Sequence, residues 1–147
     1  MKIVVVGSSN TDMIIKVPRI PKPGETILGG TFQTAAGGKG ANQAVAAARA
    51  GGNVTLVARV GDDMFGEQAI KGFVEDGINV DYVIKDKDAP SGVAEIFVAD
   101  DGENSIAVAS GANGHLSVDY VTVAQTLIEG ADIVLMQFEV SLATVEA

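Results

Sequence analysis

The segment Gly37-Gly38-Lys39-Gly40 runs straight into Ala41–Ala50, an alanine-rich stretch without Gly or Pro that stops at Gly51-Gly52. This pattern predicts a glycine loop feeding the N-terminus of a helix with a proper C-terminal stop. Adjacent glycines let backbone N–H groups approach a ligand without side-chain obstruction, and a helix start adds unpaired donors and a partial positive charge. Lys39 contributes a cation and Asn42 an amide that both donates and accepts. Such a cradle suits a hydroxyl-rich or anionic ligand. It is not a Walker loop, because Gln33 stands where the first glycine is required and Gly40 where Ser or Thr is needed. It is not a G-x-G-x-x-G fingerprint either, since Gln43 replaces the last glycine. A tight turn leading into a helix explains the same residues without any ligand.

Around this loop the chain alternates between strand and helix patterns. Ile3–Val6 is a β-branched run closed by Gly7, as in a central strand covered on both faces, and is too short and wrongly flanked for a secretory leader. Met13–Val17 is a second apolar run, and Pro18, Pro21 and Pro23 after it place it at a sheet edge. A short strand is expected near Thr31–Thr34. Val54–Val60 reads as a buried strand, Phe65–Val74 as a helix with Asp62-Asp63 as turn and N-cap, and Val80–Ile84 as a short strand. Val93–Ala99 and Ser105–Ala109 flank an Asp-Gly turn and predict a hairpin. Ser117 caps a helix expected to run to about Glu129, Ile133–Met136 is another buried strand, and Ser141 opens a last helix. Together these elements predict a three-layer α/β domain with a small β appendage. Stopping just after a capped helix start suggests a piece of a larger α/β protein as readily as a natural small domain.

Composition narrows the function. Ten Lys and Arg face 19 Asp and Glu, a formal charge of −9, which disfavours nucleic-acid and anionic membrane partners. With no cysteine and a single histidine, thiolate and multi-histidine metal sites are excluded. No apolar stretch approaches the roughly 18 residues of a membrane span, so the cytoplasm is the expected location. Two further segments carry candidate chemistry. Gly7-Ser8-Ser9-Asn10-Thr11-Asp12 follows the first strand, at the sheet end where open α/β folds bind ligands, although an Asx-type turn is the simpler account of it alone. Glu139 lies just past Ile133–Met136, at another such strand end, where a surface Glu near a helix start is also common. His115 reads as a loop histidine, and Asp100, Asp101 and Glu103 as a solvated hairpin tip.

Read from Gly37 to Gly51, the loop and helix resemble the first signature of the ribokinase-like (PfkB) family of sugar kinases. The agreement continues in Gly-Ser-Ser-Asn-Thr-Asp (7–12), Pro-Gly-Glu-Thr (23–26), Gly-Asp-Asp (61–63), Gly-Val-Ala (92–94), Gly-Glu-Asn (102–104), Gly-Ala-Asn (111–113) and Met-Gln-Phe-Glu (136–139). It covers all 147 residues but only about the first half of such a kinase. The resemblance implies a ribokinase-like three-layer sandwich, present in part, with a β-sheet lid built from about 13–34 and 93–109. It implies sugar contacts from the segment holding Asn10, Thr11 and Asp12, from Gly38, Lys39, Gly40 and Asn42, and from Glu139, with Ala94 and Ile96 as the apolar lid contact. It implies an ATP-dependent transfer to the 5-hydroxyl of D-ribose, with Mg2+ and a monovalent cation such as K+, and a homodimer formed through the lid. Fructose, nucleoside or 2-keto-3-deoxygluconate kinases share the loop, and a non-catalytic sugar-binding or dimerisation module is the competing class. The second family signature, similar to Asp-Thr-x-Gly-Ala-Gly-Asp and carrying the general base, is absent, so no catalytic residue maps onto this chain and it is expected to be inactive alone. An uncovered apolar edge at the first strand and at Ile133–Met136 is a further expectation.

Overall fold

The computed structural model describes residues 1–147 as two four-stranded sheets and five helices. The strands are β1 (Lys2–Val6), β2 (Asn10–Val17), β3 (Thr31–Gly37), β4 (Asn53–Gly61), β5 (Asn79–Asp86), β6 (Gly92–Ala99), β7 (Asn104–Ala109) and β8 (Ile133–Met136). The helices are α1 (Lys39–Arg49), α2 (Met64–Glu75), α3 (Val118–Val123), α4 (Gln125–Glu129) and α5 (Leu142–Glu146), and a 3-10 turn spans Gly111–His115. The first sheet has the order β5-β4-β1-β8 and is parallel throughout. Its β-branched strands are apolar on both faces, as burial on both sides demands. Ile3 and Val5 join Val54, Leu56 and Ala58 beneath Ala41 and Ala44 of α1 and Phe73 of α2. Val4, Val6 and Val57 face the other way, against Leu116, Val121, Ala124 and Val140. One sheet between two helical layers is the predicted three-layer arrangement.

The second sheet has the order β3-β2-β6-β7. β6 and β7 form the Asp-Gly hairpin read from sequence, with Val93 opposite Ala109. β2 corrects its expectation: it is not an edge strand but lies between β3 and β6, pairing parallel to β6 from Asn10↔Gly92 to Val17↔Ala99. The prolines follow β2 rather than interrupt it, so they never compete with its ladder. The expectation of an uncovered β1 also fails, because β4 and β8 flank it. The helix predicted from Ser117 breaks at Ala124 into α3 and α4, and the Ser117 side chain makes no capping bond. α3 is rich in β-branched residues, Thr122 Oγ1 bonds back to the Val118 carbonyl at 3.0 Å, and the Ala124 amide tightens onto Val121 O at 2.9 Å. Asp63 does cap α2, accepting from the Gly66 amide at 2.9 Å.

The histidine expected in a free loop is instead tied down. His115 Nδ1 lies 2.8 Å from Asp86 Oδ2, and Arg59 Nε donates to the same oxygen at 2.7 Å. Asp86 is 1% exposed. The Asp88 amide, then His115 and Arg59, hold its pKa down at about 2 against the upward push of burial. An unfolded Asp titrates near ~4, so the stabilisation from Asp86 is present above that pH and is lost as pH falls towards 2. The Asp86→Asn variant should therefore be less stable than wild type at pH 7, with the gap in urea midpoint closing between pH 5 and pH 2. A gap independent of pH would contradict this coupling. A second expectation concerns β8, an edge strand whose Ile133 and Met136 are exposed beside Phe138, itself 80% exposed, and Leu142. An apolar edge of this kind invites association. Sedimentation of the purified chain should show self-association, or a hydrophobic dye should bind; a dye-negative monomer would refute it.

Candidate functional site

The first turn of α1 rests on the connection between β1 and β2. A Cβ at Gly40 would lie 2.6 Å from Ser8 N and 2.7 Å from Gly7 C, both backbone atoms that cannot swing away. Gly38, at the helix N-cap, has φ of 93°, a left-handed conformation open to glycine. These glycines let the helix start sit directly on the carboxyl end of β1. Contrary to the expectation of amides left free for a ligand, the first-turn donors are engaged within the protein. The Lys39 amide donates to Glu139 Oε2 at 2.9 Å, the Gly40 amide to Ser8 Oγ at 3.3 Å, and the Ala41 amide to Ser8 O at 2.8 Å. A carboxylate, Glu139, takes one of these donors at the positive end of the helix, and Ser8 takes the other two.

Glu139 is the hub of this junction. Besides the Lys39 amide it accepts from Ser8 Oγ at 2.6 Å and forms an ion pair with Lys39 Nζ. Burial pushes its pKa up, but the Lys39 ammonium, the Ser8 hydroxyl and the Lys39 amide together bring it below the ordinary carboxylate value. Asp12 behaves oppositely: burial, and then the negative charge of Glu139, raise its pKa. Asn10 and Glu139 line one cavity of about 400 Å3 with Ser110, Asn113 and Phe138.

Strand alternation decides what else faces this space. Asn10 and Asp12 share one face of β2, and Asp12 pairs with Ala94 and Ile14 with Ile96, so Ala94 and Ile96 lie on that face too. The segment 7–12 is therefore not an Asx-type turn, since Asn10 already begins β2. Thr11 points to the opposite face and lines, with Phe65 and Gln68, a recess whose rim Asn10 also reaches. Asn42 is exposed and lines a further recess that includes Asn10, Arg49 and Gln68. The structure thus brings together Asn10, Asp12, Lys39 and Glu139, with Gly38 and Gly40 beneath them, and sets Thr11 and Asn42 to the side. Two residues escaped the sequence reading. Ser8 is fully buried and bonds Glu139, and Asn113 is 2% exposed and bonds both Ser9 and Asn10. Ser8 and Asn113 both stood inside segments already singled out, 7–12 and 111–113, but Asn113 lies over a hundred residues from its partners, so its contacts were not legible locally.

Comparison with known proteins gives consistent results. The profile described as "pfkB family carbohydrate kinase" matches residues 1–146. The chain is 45% identical over 142 residues to a ribokinase of Haemophilus influenzae, covering 97% of this chain and 46% of that protein. It is 44% identical to a ribokinase of Bacillus subtilis, covering 98% of this chain and 49% of the relative. It superposes with a TM-score of 0.80, at 35% identity, on the solved structure of Arabidopsis thaliana ribokinase complexed with ribose and ATP, covering 98% of this chain and 48% of that one. The chain thus spans about half the length of the curated relatives it matches.

The backbone contacts of Gly40 make a direct test. Gly40→Ala should destabilise the fold by about 1–3 kcal/mol through overpacking against Ser8 and Gly7. Gly72→Ala, inside α2 with open space around the added methyl, should instead stabilise it by roughly 0.5–1 kcal/mol. Urea denaturation of the two variants should give shifts of opposite sign; a neutral Gly40→Ala would show that the helix start is not held at this distance.

Proposed function

This chain belongs to the pfkB family of carbohydrate kinases, and from that premise we propose that it forms the sugar-binding part of an ATP-dependent ribokinase, acting on the 5-hydroxyl of D-ribose. The observation that supports this most is the junction of Asn10, Asp12, Lys39 and Glu139. Asn10 and Glu139 line one cavity, Lys39 pairs with Glu139 at its edge and Asp12 feels the Glu139 charge, which sets donors beside acceptors as a polyol requires, because each sugar hydroxyl both donates and accepts. In this reading Asn10 and Asp12 bind sugar hydroxyls from β2. Lys39 and Glu139 offer a donor and an acceptor side by side from α1 and from beyond β8. Gly38 and Gly40 hold the helix start in place, Asn42 acts from the recess it shares with Asn10, and Thr11, on the other face of β2, supports the strand rather than the sugar. Ala94 and Ile96 continue the face of Asn10 and Asp12 as an apolar surface, in a second sheet that serves as a lid. The apolar residues on that sheet, Phe32 and Ile106 among them, suit a homodimer formed through it.

Phosphoryl transfer needs more than this crevice. The glycine loop of this chain lacks the Walker pattern that cradles nucleotide phosphates. We assign the general base and the nucleotide site to the half of the relatives that this chain does not span. The isolated chain then binds sugar without turning it over. No helix is long and apolar enough to cross a membrane, and a cytoplasmic location fits the reading.

Calorimetric titration of the chain should show D-ribose binding more tightly than D-fructose, and Glu139→Ala should weaken ribose by about tenfold or more. Equal affinity for the two sugars, or none for ribose, would overturn the substrate assignment. A coupled assay with ATP and ribose should show no ADP release from this chain; turnover would overturn the division of labour.

A further inference from the structure

We infer that Asn113 is a positioning residue that presets the Asn10 side-chain amide as a donor towards the crevice, so that this corner of the site selects a ligand oxygen able to accept. The inference rests on the sugar-binding reading above and extends it to the direction of one hydrogen bond.

The backbone groups of Ser9 have fixed roles: its N–H can only donate and its carbonyl can only accept. Ser9 N donates to Asn113 Oδ1 at 2.8 Å, and Asn113 Nδ2 donates to Ser9 O at 3.2 Å. These two bonds fix which end of the Asn113 amide is oxygen and which is nitrogen. The second hydrogen of Asn113 Nδ2 then meets Asn10 at 2.7 Å, so the facing atom of Asn10 must be its oxygen, Oδ1. Asn10 Nδ2 is turned away from Asn113, bonds no protein group and is not fully buried, and the Asn10 side chain lines the cavity it shares with Glu139. A surface asparagine would flip its amide to suit whatever ligand arrives. Here a flip would set two N–H2 groups against each other in a buried place, with Asn10 8% and Asn113 2% exposed.

The surroundings hold the clamp still. Asn113 sits in the 3-10 turn anchored by the His115–Asp86 contact and by the Ala112 amide on Pro90 O at 2.8 Å. Gly92 supplies the room, because a Cβ there would lie 2.2 Å from both Asn10 Oδ1 and Asn113 Nδ2. Asp12 lies two residues on along the same face of β2 and, when ionised, only accepts. The ligand must therefore accept at Asn10 and donate at Asp12, which polarises a pair of hydroxyls in one direction. A group that cannot accept at the first position leaves a buried donor unpaired and is rejected.

The test has a ligand-free arm and a binding arm. In the unliganded wild-type chain, NMR hydrogen exchange should find the Asn113 side-chain N–H2 slow and that of Asn10 fast. Fast exchange at Asn113, or the reverse order, would overturn the clamp. In the binding arm, Asn113→Asp keeps an acceptor for Ser9 N but removes the donor shared by Asn10 and Ser9 O. At alkaline pH its ribose affinity should fall about tenfold relative to wild type. As pH is lowered the new carboxyl takes up a proton, can donate again, and the ratio to wild type should return towards one. The ratio is used because Asp12, Glu139, Lys39 and His115 surround the site in both proteins. A ratio that stays constant with pH would overturn the donor role. If wild type fails to bind ribose, the sugar reading falls by itself, while the exchange arm still decides the clamp.

Discussion

The close approach of one helix end to one strand end governs this molecule. α1 meets the β1–β2 connection with no space for a methyl group at Gly40, and the amides of Lys39, Gly40 and Ala41 are all taken up there. The partners are far apart in sequence: Gly40 bonds Ser8 across 32 residues, Lys39 bonds Glu139 across 100, and Ser8 bonds Glu139 across 131. The crevice therefore cannot form before the parallel sheet has brought β1 and β8 side by side. Closing those long loops costs entropy, which burial of the apolar strands around β1 offsets.

Charge at the junction favours a neutral polyol over an anionic ligand. Lys39 is the cation there, and Glu139 already neutralises it. The nearby guanidinium groups are committed elsewhere, Arg49 to Asp76 and Arg59 to Asp86. Asp12 adds a second carboxylate whose ionisation is opposed by burial and by Glu139. In a chain of net charge −9, a phosphorylated sugar entering beside Asp12 and Glu139 would meet repulsion with no free cation to offset it. Neutral hydroxyls meet no such repulsion.

Much of the frame was legible because it rests on local rules. The β-branched runs at Ile3–Val6 and Val54–Val60, the glycine stops at Gly51 and Gly77, the Asp-Gly hairpin and the Asp63 cap all act over a few residues. Lys39 and Glu139 were both legible as strand-end or loop candidates, since ligand sites in such sheets gather at those ends. What stayed hidden depends on partners across the fold. β2 looked like an edge strand because its central place comes from β6, some 80 residues later. The engaged amides of α1 could not be foreseen without knowing that a carboxylate from beyond β8 would reach them. Asp86 with His115 and Arg59, and Asn113 with Ser9 and Asn10, are polar contacts whose residues look ordinary in isolation.

The distribution of buried polar groups separates frame from site. Both apolar clusters are built from aliphatic and aromatic side chains around the parallel sheet. Thr55, Asp86, Ser91 and Thr144 are buried polar groups within the frame, whereas Ser8, Ser9, Asn10, Asn113 and Gln137 gather at the junction. A frame alone would gain more from apolar side chains there, because each buried polar atom must recover its lost hydration through a partner. Most do, through one another and through backbone. Gln137 does so only in part: its Nε2 donates to Gln43 at 2.7 Å, while its Oε1 is buried without a partner. On the proposed sugar-binding reading, a cluster of this cost at strand ends around a crevice is kept for a ligand at the expense of the core.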